Sequence, residues 1–401
     1  MIQTYRLPTR QELLSEFFEK WNCPSPCIEQ LGTIDAYGRI LAEDIFALCD
    51  TPVYRASKMD GVAVKSSTFI SGIPDATLWK PAIDYVRADT GADFPDDFDA
   101  VVRIEDVEVL PSGGLRFKEG MQDVQQGTLI NPKGKSLAKG TPIGCKGELL
   151  TASLLAVITM GAVKNLRVYA KPRVVFIPTG SELIPLGSIP ERGKKIDINS
   201  IMARFMLEEM GAEPIIYPIV PDNRIALSAA LDKALSSADI VVLNAGSSKG
   251  KEDLNHTLLE EHGEFCMHGV AALPGKPLAL ATIGGIPVVN VAGPPVACFN
   301  GLDWCVRAII RRLLKLPDFK RKTVEARLTE PIIHKTGGPF ESIMRLTVEL
   351  TDTGYIATPV PHWTCSPVEV LRTNGLYVTK IPPKRTEIGD IISVELLCGE
   401  I

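Results

Sequence analysis

A chain of 401 residues is long enough for two to four domains of ordinary size, each with its own core. Hydrophobic residues at 45 %, charged residues at 23 % and a net charge of -5 describe a soluble globular protein whose negative balance repels nucleic acid, so no such partner is expected. No apolar run reaches the length of a membrane span and Met1-Ile2-Gln3-Thr4-Tyr5-Arg6 lacks the hydrophobic segment of a secretory signal, so the expected location is cytoplasmic, with no membrane partner.

Thr9-Arg10-Gln11-Glu12 fits a capping box, and Leu13, Leu14, Phe17, Phe18 and Trp21 follow at helical spacing, predicting a helix from about 9 to 22. From Ile28 to Gly147 short β-like runs such as Ala63-Val64, Ala100-Val101-Val102 and Glu108-Val109-Leu110 alternate with Gly, Pro and Asp turns, which predicts a β-rich domain over 28–147. The run from Leu149 to Met160 reads as a buried helix ended by Gly161, so 1–27 and 148–171 form a small helical or linker domain. Beyond 172, Val174-Val175-Phe176-Ile177, a helix over about 200 to 210, Ile215-Ile216-Tyr217, a helix over about 224 to 237 and Ile240-Val241-Val242-Leu243 alternate as βαβαβ. That order predicts a parallel sheet between helices, a three-layer α/β domain over 172–317. A helix from Pro295 to Leu316 closes it, with Val296, Phe299, Leu302, Val306 and Ile309 inward and Arg307, Arg311 and Arg312 on a solvated face. Runs beginning at Val324, Ile343, Leu376 and Ile391 predict a small C-terminal β-domain over 318–401. There is neither low-complexity sequence nor a repeat of fixed period.

Nine cysteines, an odd number scattered from Cys23 to Cys398, read as reduced thiols rather than a disulfide framework. Cys23-Pro24-Ser25-Pro26-Cys27 and His262-x3-Cys266-x-His268 lack a second pair at structural-zinc spacing, so zinc is not expected.

In an open parallel sheet ligands bind beyond the carboxyl ends of the strands, and here those loops carry polar chemistry. They are Pro178-Thr179-Gly180-Ser181-Glu182-Leu183, Val220-Pro221-Asp222-Asn223, the segment from Asn244 to Asp253, and Val291-Ala292-Gly293-Pro294-Pro295. Ser247, Ser248, Lys249 and Lys251 suit phosphate oxygens, while Glu182, Asp222 and Asp253 suit a hard cation such as magnesium. The plainer alternative is that Asp222 caps the helix starting at Asn223 and that Ser248 to Asp253 cap the next. Pro274-Gly275-Lys276-Pro277 sets a lysine on a stiff turn as a fixed charge for an oxyanion. The stretch from Gly269 to Lys276 is one residue too long for a nucleotide phosphate loop and has Pro277 where a hydroxyl is required. No GxGxxG follows the first strand, so a triphosphatase and a dehydrogenase are both disfavoured. Ser57-Lys58-Met59-Asp60-Gly61 and Thr90-Gly91-Ala92, taken alone, are turns.

Taken in order, Ser57-x-Met59-Asp60-Gly61, Thr90-Gly91-Ala92, Asp99-Ala100-Val101-Val102, Thr179-Gly180-x-Glu182-Leu183, Asn199, Asp222, Gly246-x-Ser248-x-Gly250-x-x-Asp253 and Pro274-Gly275-Lys276-Pro277 resemble the molybdopterin molybdenumtransferase family. Arg345, Ser366, Asn374-Gly375-Leu376 and Gly389-Asp390 extend the resemblance to the C-terminal region. It implies a multi-domain fold similar to the C-terminal domain of gephyrin: an elongated, lasso-like β-domain, a central three-layer α/β molybdopterin-binding domain and a small C-terminal β-barrel. It implies a homodimer in which molybdopterin-AMP and molybdate are substrates, magnesium is bound, metal enters the dithiolene and AMP leaves. Transient contacts with an adenylyltransferase and with recipient molybdoenzymes follow from the same resemblance.

By matching position, the resemblance gives catalytic roles to Asp60, Glu182, Asp253 and Lys276, with Asp60 supplied by the β-domain of the other subunit, and metal contacts to Glu182 and Asp253. Substrate contacts fall to Thr179, Gly180, Asp222, Gly246, Ser247, Ser248, Gly250, Pro274, Gly275, Arg345 and Ser366. The chain departs from the family pattern at Ser181, where an acid is usual, at Leu273 in place of lysine, and at Pro294 and Ala297 in place of asparagine and a hydroxyl. Asn131 and Lys135-Ser136 replace the arginine and the Glu-Asp pair usual in the β-domain. Two function classes follow: a transferase inserting molybdenum or tungsten, and a non-inserting paralogue that binds or carries the cofactor. The retained Glu182, Asp253, Lys276 and Arg345 favour the first, and the loss at Leu273 favours the second. A scaffold of the gephyrin kind would need a groove for a partner peptide and an anchoring module.

Overall fold

A computed structural model of the chain describes residues 6–245, 254–334, 340–380 and 385–397. Two compact units divide it: Ile28–Tyr169, and Met1–Cys27 together with Ala170–Ile401.

Within Ile28–Tyr169 the strand Gly61–Val64 lies between Tyr85–Ala88 and Ala100–Arg103 in an antiparallel sheet. All four of its residues are buried because both faces are covered. Val62, Val64 and Val102 pack with Phe69, Leu115 and Phe117, whereas Ala63, Ala88 and Val101 pack with Phe94 and Phe98. Burial on two faces makes such strands read as continuous apolar runs rather than alternating ones. Position 61 also requires glycine, since a Cβ there would lie 2.0 Å from the Val102 carbonyl oxygen. Leu41, Leu150, Leu166 and Val168 form a second core with Ile158 of the helix Ala152–Met160, which Thr151 caps. Expected to be buried, that helix leaves Val157 and Met160 40 % and 47 % exposed. Its unbroken apolar sequence carries no polar stripe to mark the solvent side.

In the other unit the helix Arg10–Lys20 starts with the capping box read from the sequence, the Thr9 hydroxyl and Glu12 carboxylate each accepting the other's backbone N–H. It buries Leu13 and Phe17. The central sheet has six strands in the order Glu213–Ile216, Arg173–Thr179, Ile240–Ala245, Ile286–Ala292, Ala279–Ile283, Phe265–His268. The first four are parallel, Ala279–Ile283 runs against them, and Phe265–His268 pairs antiparallel with Ala279–Ile283. Val175, Ile177, Val241 and Leu243 face Leu227, Leu231 and Leu258 of the helices Arg224–Leu235 and Leu254–His262. Strand alternation turns Val174, Phe176, Ile240 and Val242 to the opposite face, towards the helix Asn199–Glu209. The result is a three-layer α/β arrangement.

The strands Thr323–Leu328, Glu341–Thr351, Gly354–Pro359, Gly375–Thr379 and Ile391–Leu396 each pair with two others and close a five-stranded barrel. Ala326, Met344, Leu346, Val348 and Val394 fill it. The strand Gly354–Pro359 was not among the predicted runs, because Gly354 and Pro359 bracket it with turn residues. Glu341–Ser342 also pairs with Ala272–Leu273, tying the barrel to the α/β part of the same unit.

The long helix expected from Pro295 is interrupted. Pro295–Gly301 passes through a π-helical stretch, Leu302–Val306, into Arg307–Leu313. Arg307 and Arg311 are not a solvated face. Arg307 donates to the buried Asp303 carboxylate at 2.9 Å, Arg321 donates to the same oxygen, and Arg307, Arg311 and Arg321 all lie over Phe319, at 4.3, 5.7 and 5.1 Å from its ring centre. Arg312 stays exposed as expected, while Arg307 and Arg311 are covered by the segment that follows the helix.

Candidate active site

The strand Arg173–Thr179 is followed on one side by Glu213–Ile216 and on the other by Ile240–Ala245. Connections that leave a strand in opposite directions open a crevice at its carboxyl end. A cavity of about 700 Å³ lies there, bounded by Thr179, Asn199, Asn244, Gly293, Pro294 and Pro367 among others.

Local geometry fixes its wall. Gly180 has φ +154° and a Cβ there would meet the Glu182 carboxylate at 2.8 Å, so glycine lets the Glu182 side chain fold back over the backbone. The segment returns as a short parallel ladder, Leu183–Ile184 with Lys195–Ile196, which holds Glu182 and Lys195 at the cavity rim. Asp222 does not cap the following helix; Asn223 fills that role by accepting the Ala226 N–H. Asp222 instead accepts the Ser181 N–H and donates its own N–H to the Ser181 hydroxyl, both at 3.0 Å, clamping two strand-end loops together.

The floor is an amide network. Asn199 Nδ2 donates to Asn244 Oδ1 at 2.9 Å and to the Gly293 carbonyl at 2.8 Å, and Asn244 Nδ2 donates to the Ala292 carbonyl at 3.0 Å. The Thr179 hydroxyl donates to the Asn244 carbonyl at 3.0 Å. Asp197, also in the wall and buried, accepts both the N–H and the hydroxyl of Ser200. Sequence reasoning passed over Asp197; its signal was an acid just before a helix with Ser three residues on, a pattern that binds helix N–H groups.

Arg345 lies on the barrel strand Glu341–Thr351, on the outer face opposite Met344 and Leu346. It is 3 % exposed and its guanidinium stacks 4.1 Å from the ring centre of Phe299, in the helix that leaves the cavity loop at Pro295. Its Nε and Nη2 have no hydrogen-bond partner among the described residues. Burial, only partly offset by Asp303 and reinforced by Arg321, pushes its pKa down to about 10.

Lys276 borders a different hollow of about 390 Å³, with Leu7, His268 and Gly269, and its ammonium lies 5.5 Å from the Phe340 ring centre. In the same turn Gly275 has φ +130° and the Pro274 carbonyl accepts the Asn300 side-chain N–H at 3.0 Å. Ser366 caps the helix Pro367–Leu371 in a reciprocal box with Glu369. Asp60, in the Ile28–Tyr169 unit, accepts the N–H and hydroxyl of Thr90 at 2.7 and 2.8 Å, so two motifs read separately form one latch. Those bonds hold the Asp60 carboxyl below the usual range. Gly246, Ser247, Ser248, Lys249, Gly250, Lys251 and Asp253 lie outside the described residues.

Two family models match. Residues 10–161 match the MoeA N-terminal region (domain I and II), and residues 175–312 match a probable molybdopterin binding domain. A molybdopterin biosynthesis MoeA protein from Pyrococcus horikoshii has a structure that superposes with a TM-score of 0.82 at 26 % identity, covering 98 % of this chain and 100 % of that one. The chain belongs to the MoeA family. Curated relatives named molybdopterin molybdenumtransferase include those of Haemophilus influenzae, 28 % identical over 78 % of this chain and 79 % of the relative, and of Bacillus subtilis, 28 % identical over 83 % and 81 %.

Two of the departures from the common MoeA pattern, Ser181 and Leu273, have local settings in the fold. At position 181 the serine hydroxyl accepts the Asp222 N–H without setting a second negative charge against that carboxylate. Leu273 lies in the two-residue strand paired to the barrel. Ala297 is buried in the helix behind the cavity loop, where nothing in the structure explains the loss of a hydroxyl. No helix among the described residues is long and apolar enough to cross a membrane.

Proposed function

We propose that the chain is a molybdopterin molybdenumtransferase that inserts molybdenum from molybdate into molybdopterin-AMP and releases AMP. The observation that carries this reading is Arg345: a buried guanidinium with two nitrogens that have no partner among the described residues is costly unless an anion completes it. A carrier that never meets a free oxyanion has no use for such a group. Molybdate is the oxyanion we assign to it, with Ser366 and Lys276 as further anion contacts.

Magnesium fits the donors present. Glu182 and Asp222 stand at one rim, and magnesium characteristically takes one or two carboxylates with substrate phosphates and waters rather than an all-protein cage. Those two, with Asp253, would hold it, and when bound it would polarise the phosphoanhydride. The chain's own part is to fix the rim: the Ser181–Asp222 clamp and the ladder behind Glu182 set both carboxylates before substrate arrives. We further assign a cytoplasmic homodimer, with Asp60 of the partner copy completing the site, and transient transfer to recipient molybdoenzymes.

The test is to incubate purified protein with molybdopterin-AMP, magnesium, and molybdate or tungstate, following AMP and metal-loaded cofactor. Both products should appear, and Asp253→Asn should abolish AMP release. AMP without loaded cofactor rejects insertion, and binding with no AMP release assigns the protein to the carrier class that Leu273 favours.

A further inference from the structure

His268, from the motif His262-x3-Cys266-x-His268, ends the edge strand of the central sheet, Phe265–His268. It is exposed and lines the hollow of about 390 Å³ that also holds Lys276, with Leu7, Gly269 and Pro277 as the apolar remainder of the wall. The two polar side chains of that hollow are therefore an ammonium and an imidazole. The ring of His256, on the helix Leu254–His262, packs against the His268 ring with 3.8 Å between their centres. His256 Nε2 lies 3.2 Å from the Glu260 carboxylate one helical turn further on. A proton-transfer group oriented by a neighbour that is itself held by a third is the usual build of a working acid or base.

An oxyanion drawn to Lys276 thus meets, as its other polar neighbour, the side-chain type that gives up a proton near neutral pH. Replacing an oxo group by sulfur consumes protons. When a molybdate dianion meets a thiol, the Mo–S bond forms as one Mo–O bond breaks. The departing oxygen leaves as water, with one proton from the thiol and one from a second acid, and molybdenum(VI) is neither oxidised nor reduced. Resting on the function proposed above, we infer that His268 is a further catalytic residue, the general acid that protonates the departing oxo group of an oxyanion held at Lys276. His256 and Glu260 are positioning residues behind it. The imidazole left neutral by the transfer regains its proton from solvent, to which His268 is open.

The other ionisable groups around His268 are His256 and Glu260 on the helix, Cys266 two residues back on its own strand and Lys276 on the turn. Arg6, next to Leu7, is paired with Glu12, and the neighbouring strand contributes Ala279 and Ala281. The experiment follows metal loading by the full chain, with molybdopterin-AMP, magnesium and molybdate, from about pH 5.5 to about 8.5, the span over which an imidazole loses its proton. The rate should fall as pH rises, because the acid acts in its protonated form. His268→Gln should lower kcat by about 100-fold and level that profile. Its KM for molybdate should hold, whereas Lys276→Ala should raise KM. Added imidazole should restore the rate of His268→Ala in proportion to its protonated fraction, which a merely structural role would not allow. His256→Phe, which keeps a ring against His268, should lower the rate and retain the slope with pH. Loading by His268→Gln as fast as by the unaltered chain, or the same pH slope in both, overturns the inference and leaves insertion standing. A chain that loads no metal overturns the proposed function and this step with it. Should the variants not fold, a level profile in the unaltered chain overturns the inference and a falling one supports it.

Discussion

At the ends of the parallel strands the side-chain donors of the cavity floor are consumed internally and acceptors are left over; at Arg345 the reverse holds, with two buried nitrogens that no described residue accepts. The contrast lies in backbone geometry as well as residue type. Parallel strands ending together expose carbonyls, which bind the amide nitrogens, whereas the barrel strand satisfies its own backbone and leaves a guanidinium stacked on Phe299, with Asp303, already shared by Arg307 and Arg321, as the acid that acts on it.

The sharpest way to break this contrast is Arg345→Met. Loss of the anion contact should lower metal insertion by about 100-fold, a magnitude typical of removing a preorganised charge-stabilising donor. The thermal midpoint should hold or rise, since an apolar chain of similar length relieves the buried cation; a large drop would make Arg345 structural. In the unaltered protein, molybdate affinity should be level near neutrality and weaken as pH rises through about 10, where the guanidinium loses its proton. Asp303→Asn should act in the opposite sense, costing roughly 3 kcal/mol of stability by stranding Arg307 and Arg321, as denaturant unfolding would report.

At the cavity rim, Glu182→Gln should raise the magnesium needed for half-maximal AMP release by about tenfold while leaving pterin binding intact. Equal losses in both would place Glu182 in the floor rather than the rim. The smallest expected effect is Thr90→Val. Asp60 is held below its ordinary value by Thr90, so it contributes stability above the unfolded-state value that is lost as pH falls through the folded one. Removing the hydroxyl should raise the Asp60 carboxyl signal in an NMR titration and move the onset of acid unfolding to higher pH.

Much of this architecture was legible in the residues. The capping box at Thr9, the βαβαβ alternation and the strand-end loops rest on local rules that tertiary packing did not override. The failures were cases where an element's surroundings decide its character. Arg307 and Arg311 look solvated on a helical wheel and become covered only because Phe319 folds back onto them. The helix Ala152–Met160 is apolar all round, so its sequence cannot say which side is buried. Asp197 escaped notice because its chemistry depends on an adjoining cavity that two distant loops help to build. The family motifs located Arg345, but only the fold reveals that it is buried and short of acceptors.

The strand Glu341–Thr351 carries more than one assignment along its length. Glu341 bonds Arg10 of the first helix at 2.7 Å, Glu341–Ser342 pairs with Ala272–Leu273, and Arg345 follows three residues later. Side chains alternate along a strand, so a slip of one residue would send Arg345 into the barrel interior among Met344, Leu346 and Val348 and bring an apolar side chain out against Phe299. The strand therefore acts as an index bar. Insertions should be tolerated at the turn from Thr351 to Gly354, beyond the last indexed position, whereas a single added or deleted residue between Ser342 and Arg345 would misaddress the charge while leaving most of the barrel able to form.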